Sequence, residues 1–67
     1  MQYTAIIRNW TVVKTLTNGE THLYIKGNIY EDKRESFSED GDLVVTSAII
    51  LGQDGYVQTY DGVFKLE

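Results

Sequence analysis

Hydrophobic and polar residues alternate with a period of two along much of this chain, and glycines that follow Asn or Asp interrupt the alternation. The four pairs are Asn18-Gly19, Asp40-Gly41, Asp54-Gly55 and Asp61-Gly62. Such pairs tolerate positive φ and form the tight turns that match the twist of flanking strands. The pattern therefore predicts short antiparallel strands joined by tight turns.

Two long strands are predicted in the first half of the chain. The first runs from Tyr3 to Leu16 and bends or divides near Arg8-Asn9. The second runs from Thr21 to Tyr30, and its alternation predicts one buried and one exposed face. The residues of the apolar face are Leu23, Ile25, Gly27 and Ile29. Because Gly27 lacks a side chain on that face, we expect a bulge or a sharp bend there.

Three more strands are predicted in the second half of the chain. Residues Leu43 to Leu51 are apolar on both faces apart from Thr46 and Ser47, which indicates a central strand covered on two sides or lying in a subunit contact. Strands at 56–60 and 63–66 follow. We predict an all-β fold, a five-stranded antiparallel meander that forms a small, partly open barrel (SH3-like or OB-like) or a strongly curled sheet. Residues 1–67 make one domain.

The net charge of −4 lies in one segment. The predicted charged loop, residues 31–42 between the second and third strands, holds six acidic and two basic residues. Nucleic-acid affinity needs clustered Lys and Arg, so we expect no duplex DNA partner. The apolar runs are too short to span a bilayer and the N-terminus lacks a secretion pattern, so we expect a cytoplasmic protein with no membrane partner.

Candidate catalytic and metal chemistry is sparse. The only imidazole, His22, lies on the outward face of a strand, and the chain has no Cys. Nucleophilic catalysis needs a nucleophile beside an oriented base, and zinc needs clustered His or Cys. We predict no enzymatic activity, no metal and no cofactor. A core this small needs a supplement, so we expect a homo-oligomer that buries Trp10 or residues 43–51.

Tyrosines give the positive signal for binding. Tyr24 and Tyr30 share the outward face of the second strand, and Tyr56 and Tyr60 alternate on a later strand. If these strands contribute to one surface, the tyrosines form a platform that stacks a base or anchors a protein partner. The alternative interpretation is that cross-strand tyrosine pairs only stabilise a half-exposed sheet.

The charged loop offers a second candidate surface. Phe37 is a lone aromatic residue among polar neighbours, and it either closes one end of the barrel or anchors a partner. Glu39 and Asp40 are candidates for contact with a basic patch on a host protein, where rim charges act by electrostatic steering. The alternative is a solvated connection with no binding role.

Four segments together resemble a group of short phage and prophage proteins. They are Asn-Trp-Thr-Val at 9–12, Leu-Tyr-Ile-Lys-Gly-Asn-Ile-Tyr at 23–30, Val-Val-Thr-Ser-Ala-Ile-Ile at 44–50 and Gly-Tyr-Val-Gln-Thr at 55–59. The chain departs from the group at 31–34, where members often carry His-Pro. The resemblance implies a non-enzymatic inhibitor of bacterial defence that occupies a host protein surface. Its alternatives are an oligomeric sponge for a small signalling nucleotide and a structural or regulatory virion-associated module.

Overall fold

A computed structural model describes residues 2–34 and 38–67, which form one six-stranded sheet. The strands are β1 Ala5–Thr17, β2 Glu20–Tyr30, β3 Leu43–Val45, β4 Ile49–Gln53, β5 Tyr56–Thr59 and β6 Gly62–Leu66. Their order across the sheet is β3-β2-β1-β6-β5-β4. The all-β prediction is confirmed, and the prediction of five strands is wrong. Within these residues no helix has the length and apolar character needed to cross a bilayer.

The sheet is mixed, and it is not closed into a barrel. β1 and β6 run parallel, so the prediction of a purely antiparallel meander is wrong. β3 and β4 remain as the two edges, so neither an SH3-like nor an OB-like barrel forms. Only residues 46–48 join these edges, and that link spans at most about 14 Å. A flat six-stranded sheet would place its edges about 24 Å apart, so this sheet must curl.

The predicted central strand Leu43–Leu51 is wrong, because the chain leaves one sheet edge at Thr46. The Thr46 amide donates to the Ile25 carbonyl over 2.9 Å, and the Thr46 hydroxyl accepts from the Ile25 amide over 3.1 Å. Ser47 instead exchanges hydrogen bonds with Asp61, at 3.2 and 3.1 Å. The chain therefore crosses to the opposite edge as β4. Four apolar side chains of the two edge strands are exposed: Leu43, Val45, Ile50 and Leu51.

One face of the sheet, the core face, carries the hydrophobic core. Its buried residues are Ala5, Ile7, Ile25, Ile29, Val57 and Phe64, and Val44, Ile49 and Leu66 pack against them. These residues come from all six strands, so the core depends on pairings between distant parts of the chain. The alternation predicted for β2 is confirmed at Ile25, Gly27 and Ile29, which are buried.

A β-bulge in β1 lies opposite Gly27 and confirms the predicted bend. The register of the β1–β2 pairing shifts between Arg8 and Thr11. Asn9 adopts a left-handed backbone conformation there, with φ 53°. A Cβ atom at residue 27 would lie 2.6 Å from Ile7 Cγ2 and 2.9 Å from the Arg8 carbonyl oxygen. Glycine is required here because the bulged strand approaches too closely for any side chain.

Beyond the bulge, β1 and β2 continue as a two-stranded hairpin arm, residues 10–24. β6 pairs only with residues 5–7 of β1 and β3 only with residues 26–28 of β2, so no other described strand flanks the arm. We call the remainder of the sheet the body. Four apolar side chains on the core side of the arm form the arm strip: Trp10, Val12, Leu16 and Leu23, exposed by 42, 48, 73 and 42%. The predicted burial of Leu23 is therefore wrong.

Candidate functional site

The outer face of the sheet, opposite the core face, carries a row of directly paired residues. From β2 to β4 the row is Tyr30, Ile6, Lys65, Tyr56 and Gln53. Ile6 is 3% exposed, whereas Tyr30, Lys65 and Tyr56 are half-buried. The structure thus brings two of the candidate tyrosines, Tyr30 and Tyr56, to one level of one face, with Ile6 and Lys65 between them.

The two tyrosines of this row cannot hold one base between them. They lie three strands apart, which corresponds to about 14 Å at the usual strand spacing. A flat base between two rings needs the rings about 7 Å apart, twice the carbon contact distance. A larger partner that spans the row matches this spacing better than a single nucleotide base does.

Basic side chains lie over the rings at the β2 end of the row. The Arg8 guanidinium lies 4.7 Å from the centroid of the Tyr30 ring. The Lys33 ammonium lies 4.0 Å from the Tyr3 ring and the Lys65 ammonium 5.8 Å from it. Cations over aromatic faces restrict both groups and keep positive charge at the surface. Sequence reasoning missed these cation–ring pairs, and the one between Lys65 and Tyr3 depends on the parallel β1–β6 pairing, which brings Lys65 next to β1.

Glu67 partly balances this positive charge. Its carboxylate accepts from Arg8 Nε over 3.0 Å and lies 3.4 Å from Lys65 Nζ. The hydrogen bond from Arg8 lowers the pKa of Glu67 below its usual value, against a smaller opposing effect of burial. Arg8, Lys33 and Lys65 together exceed this one carboxylate by two charges. These four side chains therefore carry a net positive charge although the chain is acidic.

A shallow hollow adjoins Tyr56 on the same face. Leu51, Gln53, Tyr56, Gln58 and Val63 line it. The hollow is open to solvent, and its cavity volume is about 40 Å³. Pockets that enclose drug-sized ligands run from about 300 to 1,000 Å³. The hollow suits one side chain of a partner better than a whole nucleotide.

The structure places the other two candidate tyrosines away from the row. Tyr24 lies on the outer face of the hairpin arm, paired with Val13. It is six residues along β2 from Tyr30, about 20 Å in an extended strand. Tyr60 lies in the turn between β5 and β6 and is 79% exposed. The four tyrosines therefore do not form one platform.

The described parts of the charged loop are tied to the body. The Asp40 carboxylate accepts from the Glu31 amide over 2.8 Å, so Asp40 closes the loop on itself. Glu39 is exposed, and its amide donates to the Asp42 carboxylate over 3.1 Å. The predicted roles of Phe37 concern a position outside the described residues.

An ion pair that sequence reasoning missed lies within the charged loop, close to the core. Asp32 Oδ1 accepts from the Arg34 amide and from Arg34 Nε, each over 3.0 Å, and Oδ2 accepts from Nη2 over 3.0 Å. The Asp32 side chain is 2% exposed. These hydrogen bonds lower the pKa of Asp32 and raise that of Arg34. The guanidinium also lies 5.5 Å from the Phe64 ring. Asp32 and Arg34 are separated by one residue in the sequence, and that spacing is the feature from which the ion pair could have been predicted.

The remaining candidate chemistry is limited. His22 Nε2 lies 3.7 Å from the exposed Glu20 carboxylate, on the outer face of the arm. Within residues 2–34 and 38–67, no group of three or more His, Cys, Asp or Glu side chains is arranged to hold a metal ion. Comparison with family models, with curated proteins and with solved structures finds no match for this chain.

Proposed function

We propose that this chain is a non-enzymatic protein-binding module of phage type, which blocks a component of bacterial defence by occupying its surface. The observation that carries the proposal is the outer-face row, where Tyr30 and Tyr56 stand at one level of a continuous sheet. The phage context rests on the sequence resemblance of residues 9–12, 23–30, 44–50 and 55–59.

The composition of the row supports binding to a protein. Tyr and Arg are enriched among the residues that dominate binding energy at protein interfaces. Here Tyr30 carries Arg8 over its ring, and Tyr56 borders the hollow. Because both tyrosines are held on paired strands, little conformational entropy is lost when a partner covers them. The basic side chains around them favour a partner with an acidic rim.

The alternative function, sequestration of a small nucleotide, requires a pocket that encloses the nucleotide, whereas binding to a protein does not. Within residues 2–34 and 38–67 the hollow beside Tyr56 is open and small, so a sponge that uses it would need a second copy to complete its pocket. Calorimetry with cyclic nucleotides separates the two functions. We expect no heat above dilution, and saturable heat that Tyr56→Ala abolishes would replace the protein-binding proposal with the nucleotide sponge.

Affinity capture with point variants tests the proposal directly. Tagged wild-type protein serves as bait in lysates of bacteria that carry defined defence systems, with quantitative mass spectrometry as the readout. We expect a defence protein that wild type captures to be lost with Tyr56→Ala, by at least about tenfold in affinity, a hot-spot effect. Tyr60→Ala is the matched control, because this exposed tyrosine lies outside the row and should leave capture unchanged.

The biological consequence is measured in the same strains. Expression of the wild-type protein should restore plaque formation of a phage that the targeted defence system restricts, and Tyr56→Ala should not. The proposal is wrong if no strain gains plaques, or if Tyr56→Ala and Tyr60→Ala behave alike in both assays while both variants stay folded.

A further inference from the structure

We infer that the hairpin arm binds a second copy of this chain, with the two arm strips packed face to face and the two bodies at opposite ends. The inference concerns the core side of the arm, whereas the proposed function concerns the outer face. Failure of one proposal therefore leaves the other untouched, because the two surfaces lie on opposite faces of the sheet.

The arm strip extends the core face past the end of the core. Ile25, 1% exposed, pairs with Val12, 48% exposed, so burial falls abruptly between paired strands. Leu23 and Leu16 continue the same face towards the tip, at 42 and 73% exposure. A contiguous apolar patch on a small soluble chain marks an interaction surface.

The arm also lacks the support that short strands need. An isolated two-stranded hairpin is at best marginally stable in water, and a third strand or a packed layer is needed for independent stability. In the described structure residues 10–24 have neither. A second arm packed about 10 Å away would supply that layer and cover both strips at once.

The strip is complementary to itself in an antiparallel arrangement. Lys14 is its single charged neighbour on that face, between Val12 and Leu16. With the two-fold axis level with Val13, Trp10 lies across from the partner subunit's Leu16. Lys14 then lies across from the partner subunit's Val12, so the two ammonium groups do not face each other. Each lysine stem can cover apolar surface while its charge reaches water.

The distribution of negative charge favours the same arrangement. The charged loop starts after Tyr30, at the end of β2 opposite the arm tip, and its six acidic and two basic residues account for the net charge of −4. β2 is 11 residues long, so the start of this loop lies about 33 Å from the arm tip, roughly four Debye lengths at physiological salt. Bodies at opposite ends keep the two acidic loops apart, whereas arms packed in parallel would bring them together.

The size of the strip sets the strength of the association. Eight residues of β1 and five of β2 give a face of at most about 26 by 10 Å. Two such faces bury less than about 1,200 Å² in total, which is the class of weak, transient interfaces. We therefore expect an equilibrium between monomer and dimer that depends on protein concentration in the micromolar range.

Sedimentation velocity over a wide range of concentrations tests the inference. The wild-type chain should shift from 7.6 kDa at low concentration to twice that mass at high concentration. Leu16→Lys should weaken dimerisation at least about tenfold, equivalent to roughly 1.4 kcal/mol. Thr15→Lys is the matched control, because Thr15 adjoins Leu16 in β1 but lies on the opposite face, and it should dimerise as wild type does.

A cross-linking measurement avoids reliance on a destabilised variant. The chain has no Cys, so Lys14→Cys and Thr15→Cys each carry a single thiol. A short bismaleimide should join two Lys14→Cys chains near the axis and leave Thr15→Cys chains unjoined. The inference is overturned by a wild-type monomer at every concentration, by equal dimerisation of Leu16→Lys and Thr15→Lys, or by equal cross-linking of both thiols.

Discussion

The body and the hairpin arm share the same two strands and differ in what flanks them. In the body, β1 and β2 lie between β3 and β6, and Ile7, Ile25 and Ile29 are buried. In the arm, β1 and β2 have no other described neighbours, and apolar residues at equivalent positions are exposed. The comparison shows that alternation in a sequence selects a face of a strand, whereas flanking strands decide whether that face is buried.

Gly27 marks the boundary between the two regions, and its replacement should have the largest effect. Gly27→Ala places a methyl group against Ile7 Cγ2 and the Arg8 carbonyl oxygen. Because the carbonyl belongs to the backbone of the bulge, we expect the free energy of unfolding to fall by roughly 2–3 kcal/mol. Chemical denaturation measures it.

Gly52→Ala is the matched control for this substitution. A Cβ atom at residue 52 would meet Val57 Cγ1 at 3.8 Å, an ordinary contact. Its stability should stay the same or rise by up to about 1 kcal/mol, because alanine loses less backbone entropy on folding. Equal effects of Gly27→Ala and Gly52→Ala on the free energy of unfolding would mean that the close approach of the bulge does not require glycine at residue 27.

Loss of the ion pair between Asp32 and Arg34 within the charged loop should have a smaller effect. Asp32→Asn removes the charge from a carboxylate that accepts three hydrogen bonds from Arg34. We expect the free energy of unfolding to fall by about 1–2 kcal/mol at neutral pH. Asp54→Asn is the control, because Asp54 lies in an exposed turn at φ 53°, which Asn also tolerates.

The pH dependence of this pair follows from the lowered pKa of Asp32. Below its ordinary pKa of 3.8 the unfolded chain takes up the proton first, while the folded carboxylate stays ionised. The contribution is therefore fully present above pH 3.8 and is lost as pH falls through the lower pKa of the folded state. The gap between wild type and Asp32→Asn should shrink in acid. A gap that stays constant down to strongly acidic pH would contradict this account.

Local features of the fold could be predicted from the sequence. The turn at Asn18-Gly19, the bend at Arg8-Asn9 and the closeness at Gly27 all follow from conformational limits of single residues. The parallel pairing of β1 with β6 joins residues 59 apart along the chain, and no local signal predicts it. The division of Leu43–Leu51 was visible at Thr46 and Ser47, whose polar side chains were the only break in an apolar run.

The candidate site could be predicted only in part, because it also depends on pairings between strands that are distant in the sequence. The strand period places Tyr24, Tyr30 and Tyr56 on the outer face. It does not show which of them share a level, because that depends on the register of β6 against β1. The hydrogen bond from Glu31 to Asp40 was also beyond prediction, since it depends on the path of the loop between them.

Hydrogen exchange at two protein concentrations tests the central claim that the body is complete alone and the arm is not. Amides paired within the body, such as those of Ile7 and Ile29, should be protected equally at low and high concentration. Amides that hydrogen-bond between β1 and β2 within the arm, in residues 11–17 and 20–24, should exchange rapidly when the protein is dilute and become protected when it is concentrated. Equal protection of arm and body in dilute protein would contradict the account.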